Sequence, residues 1–231
     1  MSRGVLGWAQ NCAARSDTSL DFVLPIGFPS EERFAQPALL PQTLAHLKGK
    51  HLFVYVGSFG YTYNLNSIIQ AARQLDAHGR CDIHFVLAGQ GPSYESISRE
   101  ATGAQNVTLM GWLEHADVRT LMRVARAGLL PWAGLKDALP NKFFEYVSAG
   151  LPVISSADGE LNVDLERRGA GLVYAPDDPS ALVAAVMRLA NDDTFAVSAA
   201  RAAANWFDQE FAESSVYARF AEKIEGMAAS L

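Results

Sequence analysis

One short segment places a cation and a carboxylate where they could hold an anionic ligand that also carries hydroxyl groups. The segment is Asn-Lys-Phe-Phe-Glu-Tyr-Val-Ser-Ala, at 141–149, between Pro140 and Gly150. Proline suits the first turn of a helix and glycine suits the position after its end, so the spacing predicts a helix that starts near Pro140. The helical wheel puts Phe143, Phe144 and Val147 on a packing face and Asn141, Lys142, Glu145, Ser148 and Ala149 on a polar face.

The polar face of this predicted helix has the chemistry of a nucleotide-sugar site. The positive charge of Lys142 near the positive end of the helix dipole would destabilise the helix by a few tenths of a kcal/mol. An anion bound to the free N–H groups of the first turn would offset this cost. One turn further on, Glu145 could accept two hydrogen bonds from a diol such as a ribose. Asp137, before the helix, could reach another part of the same ligand. From these residues alone an ordinary strand-to-helix junction, with Glu145 in solvent, is the alternative.

The stretch 137–154 resembles the acidic E-x7-E motif of retaining GT-B glycosyltransferases of family 4. Asp137 stands at the first acidic position and Glu145 at the second. The intervening and following residues, Pro-Asn-Lys-Phe-Phe-Glu-Tyr-Val-Ser-Ala-Gly-Leu-Pro-Val, are similar to those of bacterial enzymes that build O-antigen and capsule. The resemblance extends from about Leu52 to Leu189.

The resemblance implies a role for each part of the motif. Glu145 would bind the ribose and Asp137 would contact the donor sugar, while Lys142, Asn141 and the helix-start amides near Leu139 would bind the diphosphate. In this family positive groups stabilise the leaving diphosphate without a metal ion. The resemblance therefore implies a retaining, metal-independent transfer in which Asp137 and Lys142 take part in catalysis.

Two glycine loops follow predicted strands and would lie at the edge of the sheet where ligands bind. Their sequences are Gly57-Ser58-Phe-Gly60 and Gly89-Gln-Gly91-Pro92. The resemblance implies that the first loop approaches the diphosphate and that the second lies beside the nucleobase; a simple turn is the alternative for both. The family often has a basic residue after the first loop, but 61–66 has none, which leaves Lys142 as the main cation.

The nucleobase itself is not fixed by residue identity. In the family, base contacts come largely from backbone near the position of Trp112. A UDP-sugar is the favoured donor over a GDP-sugar. No separate cofactor is expected, and no Asp-x-Asp motif or Cys/His cluster with metal-ligand spacing occurs in the sequence.

From Leu52 onward short apolar runs alternate with helical periods, which is typical of a doubly wound α/β domain with a parallel sheet. The expected strands and helices are, in order, strand 52–56, helix 64–77, strand 83–88, a helix ending at 101, strand 107–110, helix 115–125, and strands 127–130, 153–154 and 171–174. Helices at 179–190, 194–206 and 211–228 follow. The resemblance divides the chain into an acceptor-domain remnant and linker at 1–43, a donor-binding domain at 44–190 and C-terminal helices at 191–231, which cover the domain or reach toward a missing N-terminal domain.

The N-terminal part is expected to hold a helix at Val5–Arg15, a strand from Asp21 to Phe28 broken by Pro25, and a linker at 29–41. Farther along, Asp158 is expected to cap a helix whose first turn holds Glu160. A loop near the donor sugar is the alternative for that pair. His84 and His115 are expected to be structural.

Composition excludes several classes of protein. The 231 residues carry a net charge of −6 without a basic run, which argues against nucleic-acid binding. Two cysteines imply no disulfide framework and favour a reducing compartment. No apolar run approaches the ~20 residues of a membrane span, so cytoplasmic residence is expected, with association at the inner membrane face through a missing domain left open.

The expected function is donor binding for glycosyl transfer to a cell-envelope polysaccharide or a lipid-linked saccharide. Because acceptor contacts in the family come from the N-terminal domain, this chain alone is expected to be an incomplete catalyst. One alternative is a non-catalytic nucleotide-sugar-binding subunit or scaffold that needs a separate acceptor subunit. Another is a sugar-nucleotide epimerase of the GT-B fold, which the 141–146 sequence disfavours.

Overall fold

The centre of the molecule is a six-stranded parallel sheet, in a computed structural model that describes residues 2–13, 17–29 and 42–229. The strands have the order β3-β2-β1-β4-β5-β6, and every neighbouring pair is parallel. They are β1 (His51–Val56), β2 (Ile83–Ala88), β3 (Val107–Gly111), β4 (Ala127–Leu130), β5 (Val153–Ser155) and β6 (Gly171–Val173). The predicted doubly wound α/β architecture is confirmed.

One α-helix of the described residues precedes the first strand, and the others connect the strands or follow the last of them. They are α1 (Arg3–Ala13), α2 (Leu65–Ala77), α3 (Tyr94–Glu100), α4 (His115–Val124), α5 (Asn141–Ser148), α6 (Glu160–Arg168), α7 (Pro179–Asn191), α8 (Asp193–Glu210) and α9 (Glu213–Ala228). A short 3-10 helix, Gln42–Leu47, precedes β1 and was not predicted. Helix α8 runs about four residues beyond its predicted end, Trp206, because its C-terminal part packs against α5 and α6.

Both faces of the sheet are buried under helices, which is why the strands are almost continuously apolar. Side chains of β1 alternate between the two sides: Leu52, Val54 and Val56 pack in one apolar cluster with α4, α5, α6 and α8. Phe53 and Tyr55 point into the opposite cluster, with α2, α3 and α7. The site must therefore lie at an end of the strands rather than on a face of the sheet.

The strand order reverses between β1 and β4, which creates a crevice beyond the carboxyl ends of these strands. β1 pairs with β2 on one side and with β4 on the other, and the chain crosses over in opposite directions from this point. In open parallel sheets ligands bind at such a reversal. The loops after β1, β2, β3 and β4 meet there.

The expected strand at 21–28 does not form, and this prediction was wrong. Only Phe28 makes a ladder contact, an isolated bridge to Ala212, with Phe28 donating its N–H to the Phe211 carbonyl at 2.8 Å. The segment runs beside the junction of α8 and α9, where no strand edge is available, and Pro25 has no N–H to donate.

Helix α1 begins two residues before the predicted start, and Arg15 of the predicted end lies outside the described residues. The predicted linker 29–41 lies outside them except for its first residue. In the described ranges, no helix combines the length and apolar character that crossing a membrane requires.

Candidate functional site

Helix α5 carries the two predicted ligand-binding side chains to the crevice between β1 and β4. Pro140, with φ −65°, is the N-terminal cap residue, and the helix starts at Asn141. Phe143, Phe144 and Val147 are fully buried, as the packing face predicted. The opposite face is less exposed than expected, because Lys142 is only 7% exposed and Ser148 is also buried.

Lys142 is buried because aromatic side chains from the β1 strand and the loop after it enclose its ammonium group. The Nζ atom lies 3.6 Å from the centroid of the Tyr63 ring and 4.8 Å from that of Tyr55. Such cation–π contacts offset part of the cost of removing the charge from water. Burial nevertheless lowers the pKa of Lys142 to about 8, against the opposing effect of the Glu145 charge. The lysine therefore titrates close to neutral pH.

The same ammonium group touches the glycine loop after β1. A Cβ atom on Gly57 would lie only 2.7 Å from Lys142 Nζ, so a side chain at this position would displace the ammonium group. Gly57 has φ 139°, and its N–H donates to the Ala88 carbonyl at 2.9 Å. The cation and the loop backbone are thus adjacent, as a diphosphate site requires.

Glu145 is half-buried, one turn after Lys142, and faces the cavity. Burial raises the pKa of the Glu145 carboxyl, while the positive charges of Lys142, His115 and Arg119 lower it. Partial desolvation strengthens the hydrogen bonds that a carboxylate can accept. The arrangement suits a ligand that brings two hydroxyl groups to the carboxylate.

The crevice opens into a cavity of about 580 Å³, within the usual size range of small-molecule sites. Five predicted site residues line it: Gly57, Ser58, Gly89, Trp112 and Glu145. The other lining residues are Phe28, Val56, Ala88, Gln90, Leu113, His115, Val118, Arg119 and Met122. The exposed Trp112 ring and the half-buried Glu145 side chain contribute an aromatic and an acidic group to one cavity.

Two residues that were predicted to bind the ligand, Gly91 and Asn141, do not line the cavity. A Cβ on Gly91, where φ is 155°, would lie 2.8 Å from the Phe59 carbonyl oxygen, so glycine is required by close backbone packing. Asn141 is exposed and is not among the residues that line the cavity. Its predicted contribution to phosphate binding therefore rests on its backbone amide at the start of α5.

Asp137 acts as the cap of helix α6 in this structure. Its Oδ1 atom accepts the Glu160 N–H at 3.0 Å, and its own N–H donates to the Asp158 carbonyl at 3.1 Å. Asp137 has φ 58°, which asparagine and aspartate tolerate better than most residues. The prediction that Asp158 caps α6 was wrong, because the cap residue is Gly159 and the carboxylate comes from Asp137.

Glu160 lies in the first turn of α6, as predicted, and holds the start of helix α1. Its carboxylate accepts the N–H groups of Arg3 at 3.0 Å and Gly4 at 2.5 Å. A Cβ on Gly4 would lie 2.6 Å from Asp137 Oδ2, so α1 begins directly against that carboxylate. Leu139 lines a second, polar cavity of about 410 Å³ on this side of the site, not the cavity beside Glu145.

Two basic side chains of α4 also line the cavity: His115, which was expected to be structural, and Arg119, which was not predicted. Their spacing of four residues places them on one face of the helix that follows Trp112, and this signal could have found them. Arg119 is buried. By contrast His84 has the structural role that was expected: its ring Nε2 pairs with Thr108 Oγ1 at 2.9 Å inside the sheet.

Across residues 2–13, 17–29 and 42–229, no group of three or more His, Cys, Asp and Glu side chains is placed to hold a metal ion. The polar groups that line the cavity include the Glu145 carboxylate, the His115 imidazole and the Arg119 guanidinium group, whereas the buried Lys142 ammonium group does not line it and lies against the Gly57 loop. This set can bind an anion and hydroxyl groups at adjacent points.

A doubly wound parallel sheet of this kind defines an α/β domain whose ligand site lies beyond the carboxyl ends of the strands, at the switch point. The family model "Glycosyl transferases group 1" matches residues 50–192, which is more than half of the chain. The chain belongs to this family. The resemblance seen in the sequence is thereby confirmed.

Two curated relatives are both named glycosyltransferases. The 2-deoxystreptamine glucosyltransferase of Streptomyces kanamyceticus is 26% identical over 187 residues, which cover 79% of this chain and 46% of the relative. The amylovoran biosynthesis glycosyltransferase AmsK of Erwinia amylovora is 25% identical over 171 residues, covering 71% and 42%. The chain therefore spans less than half the length of these relatives.

Solved structures share the fold at low sequence identity. Anabaena Alr3699/HepE in complex with UDP superposes with a TM-score of 0.81 at 15% identity, over 97% of this chain and 62% of that one. WaaG, a glycosyltransferase involved in lipopolysaccharide biosynthesis, gives a TM-score of 0.71 at 18% identity, over 95% and 60%. These similarities confirm the fold class.

Proposed function

We propose that this chain forms the donor-binding part of a glycosyltransferase that takes its sugar from a UDP-sugar. The observation that carries the proposal is the placement of Lys142 and Glu145 one helical turn apart at the strand-order reversal. Glu145 faces the cavity, and Lys142 Nζ touches the Gly57 loop. A ribose and a diphosphate are adjacent groups of one ligand, so a carboxylate and a cation at this spacing suit a nucleotide.

The ligand has one favoured orientation in this site. Its ribose hydroxyls bind Glu145, and its base lies toward Trp112 and Gly89, on the side of the cavity formed by the loops after β2 and β3. Its diphosphate lies against the Gly57–Ser58 backbone, Lys142 and the first amides of α5. The groups that bind the diphosphate are backbone amides and a lysine that is already buried. Because these groups are ordered before the ligand arrives, binding costs little side-chain entropy.

In the reaction that we propose, the protein stabilises charge on the departing diphosphate. Lys142 and the amides at the start of α5 supply this stabilisation where charge develops, without a bound metal ion. The sugar extends toward Asp137. Asp137 Oδ1 caps α6 and Oδ2 lies against the start of α1 at Gly4, so a contact between this carboxylate and the sugar would require one of these two neighbours to move. We further propose that the anomeric configuration is retained.

The comparisons support the choice of UDP and of a saccharide acceptor. Three Anabaena Alr3699/HepE structures contain UDP, UDP with glucose, or UDP-glucose. One relative acts in amylovoran biosynthesis, and WaaG acts in lipopolysaccharide biosynthesis. The acceptor that we propose is accordingly a cell-envelope polysaccharide or its lipid-linked precursor, bound with the help of a second domain.

The cellular location is part of the proposal. The two cysteines, Cys12 and Cys81, are both exposed and both free thiols. Exposed thiols are compatible with a reducing compartment. We propose the cytoplasm, including the inner face of the membrane, as the place where the protein acts.

A nucleotide-sugar-binding subunit without catalysis of its own is the second candidate. The observation that favours it is that the Asp137 carboxylate already has two structural neighbours, because it caps α6 and contacts the start of α1. In that case the chain would bind the donor normally but would transfer no sugar, even with the acceptor domain supplied.

The experiment that tests the donor site is calorimetric titration of the chain with UDP, GDP and ADP, with and without EDTA. We expect selective binding of UDP that EDTA leaves unchanged and that Glu145→Ala weakens. Glu166→Ala, an exposed glutamate on α6, is the matched control and should leave the affinity unchanged. Failure of the wild-type chain to bind any of the three nucleotides would contradict the proposed function.

A further inference from the structure

Tyr146 connects the two strands that border the crevice at the point where they stop pairing. The β1–β4 ladder ends at Val54 and Gly128, although β1 continues to Val56 and β4 to Leu130. Beyond the last paired residues, the Tyr146 hydroxyl lies within hydrogen-bond distance of both strands. It accepts the Val56 N–H at 3.1 Å.

The hydroxyl also donates to the neighbouring backbone. The Leu129 carbonyl lies at 3.2 Å and the Val54 carbonyl at 3.4 Å from the phenolic oxygen, so either can accept its proton. Tyr146 is fully buried, and burial raises the pKa of its phenol, so the hydroxyl stays protonated and able to donate. A side chain thus replaces the backbone hydrogen bonds that the two strands would otherwise form with each other.

The sequence makes room for this ring at one specific place. A Cβ on Gly128 would lie 2.5 Å from ring atoms of Tyr146, so the ring occupies the space above the β4 backbone. Gly128 also pairs with Val153 of β5, and its N–H donates to the carbonyl of Pro152, the residue before that strand, at 2.9 Å. Glycine is therefore required at position 128 because the Tyr146 ring fills the space of a side chain, and not because the backbone turns there.

Val56 is the last residue before the glycine loop, so its N–H sets the direction in which that loop leaves the sheet. A second tyrosine fixes the loop at Ser58, because the Tyr55 hydroxyl donates a hydrogen bond to the Ser58 carbonyl at 2.5 Å. Tyr146 also follows Glu145 directly on α5, and fixing its ring fixes the rotation of that helix. One hydroxyl thereby ties the phosphate-binding loop to the helix that carries Glu145 and Lys142.

We infer that Tyr146 is a positioning residue that keeps the ends of β1 and β4 apart and sets the Gly57–Ser58 backbone for a diphosphate. The inference rests on the proposed function for the identity of the ligand. Tyr146 does not touch the ligand in this assignment; it acts through the Val56 amide. Without the hydroxyl, β1 and β4 can approach each other beyond Val54 and Gly128, which narrows the crevice at its phosphate end.

The test compares Tyr146→Phe with Tyr174→Phe in the full chain. Tyr174 is another buried tyrosine, with Ser156 and Ser67 near its hydroxyl, so removal of that hydroxyl controls for the general cost of losing a buried hydroxyl. Affinities for UDP and for uridine are measured by calorimetry. We expect Tyr146→Phe to weaken UDP roughly tenfold, the size of one lost charge-assisted contact, with uridine changed less than about twofold. Tyr174→Phe should change neither affinity.

A second measurement, amide hydrogen exchange read residue by residue, needs no ligand. Tyr146→Phe should lose protection at Val56 and Gly57 while Phe53 and Val54, inside the ladder, keep theirs. Unchanged protection at Val56, or equal losses of UDP and uridine affinity, would overturn the inference. If the wild-type chain bound neither ligand, the proposed function would fail, and the exchange at Val56 would still decide whether Tyr146 holds the strands apart.

Discussion

The ammonium group of Lys142 lies 3.6 Å from the centroid of the Tyr63 ring, beneath the glycine loop that follows β1. The ring comes from the same loop region, and the lysine comes from the start of α5. Tyr63 is itself partly buried, and burial raises the pKa of its phenol to about 12. The cation is therefore held at the phosphate end of the crevice before any ligand arrives, between a neutral aromatic ring and backbone.

Diphosphate binding should weaken as the pH rises through about 8. Burial lowers the pKa of Lys142 to about 8, so the side chain is charged below that pH and neutral above it. An anion gains attraction only from the charged form. We expect the affinity for UDP to fall between about pH 7 and 9, the range around that pKa, and the affinity for uridine to stay constant over the same range.

Substitution of Lys142 should act on the diphosphate and not on the nucleoside. We expect Lys142→Met to weaken UDP by about 1.5–3 kcal/mol, the range for a hydrogen bond to a charged group, and to abolish its pH dependence. Lys48→Met, at an exposed lysine before β1, should leave both affinity and pH profile unchanged. Equal losses for UDP and uridine would rule out a phosphate role for Lys142.

Glu145 should be coupled to the ribose hydroxyls. We expect Glu145→Ala to weaken UDP by about 1–3 kcal/mol, the cost of losing a charged acceptor from a site. The same substitution should have no effect on 2′,3′-dideoxy-UDP, which lacks both hydroxyls. A double cycle of protein and ligand changes, measured by calorimetry, isolates this contact. Additive effects of the two changes would mean that Glu145 binds another part of the nucleotide.

The two roles of Asp137, helix cap and sugar contact, can be separated with two substitutions. Asn caps helices as well as Asp does, so Asp137→Asn should keep the thermal stability, whereas Asp137→Ala should lose about 1 kcal/mol. If the carboxylate also contacts the sugar, both variants should weaken a UDP-sugar relative to UDP. A pure capping role would leave the ratio of UDP-sugar to UDP affinity unchanged in Asp137→Asn.

Local patterns in the sequence were enough to predict the sheet and its helices from β1 onward. The alternation of buried runs and helical periods is a property of each element itself, and the strand reversal follows from the doubly wound order. The cavity side of α5 was predictable for the same reason, because Pro140 and Gly150 set its bounds and the phenylalanines set its packing face. Glu145 could thus be assigned to the crevice.

The features that were missed depend on partners far away in the chain. The carboxylate that caps α6 comes from Asp137, 23 positions before the Glu160 amide, and nothing local distinguishes it from Asp158. The burial of Lys142 depends on Tyr63, almost 80 positions away. Likewise, 21–28 has the apolar content of a strand, but strand formation requires a neighbouring edge, and its environment is a junction of two helices.

His84 should make the fold sensitive to acid. Burial, with the nearby positive charges of Lys50 and His46, lowers the pKa of His84 to about 4 from its ordinary value of 6.5. The unfolded chain therefore takes up a proton first as the pH falls. Stability is fully present above about pH 6.5 and is lost progressively as the pH falls toward 4, by up to about 3 kcal/mol from this residue at 1.36 kcal/mol per pKa unit.

The measurement is urea unfolding of the wild type and of His84→Gln between about pH 7.5 and 4, a span that covers both pKa values. Glutamine can still donate a hydrogen bond to Thr108 Oγ1, which pairs with the histidine ring at 2.9 Å, but it does not titrate. Carboxylates that titrate near pH 4 affect both proteins alike, so the informative quantity is the difference between the two pH profiles. We expect that difference to grow as the pH falls, with the wild type losing more stability. Parallel profiles would show that His84 accepts its proton in the folded protein without a cost, and that the sheet around it is open to water.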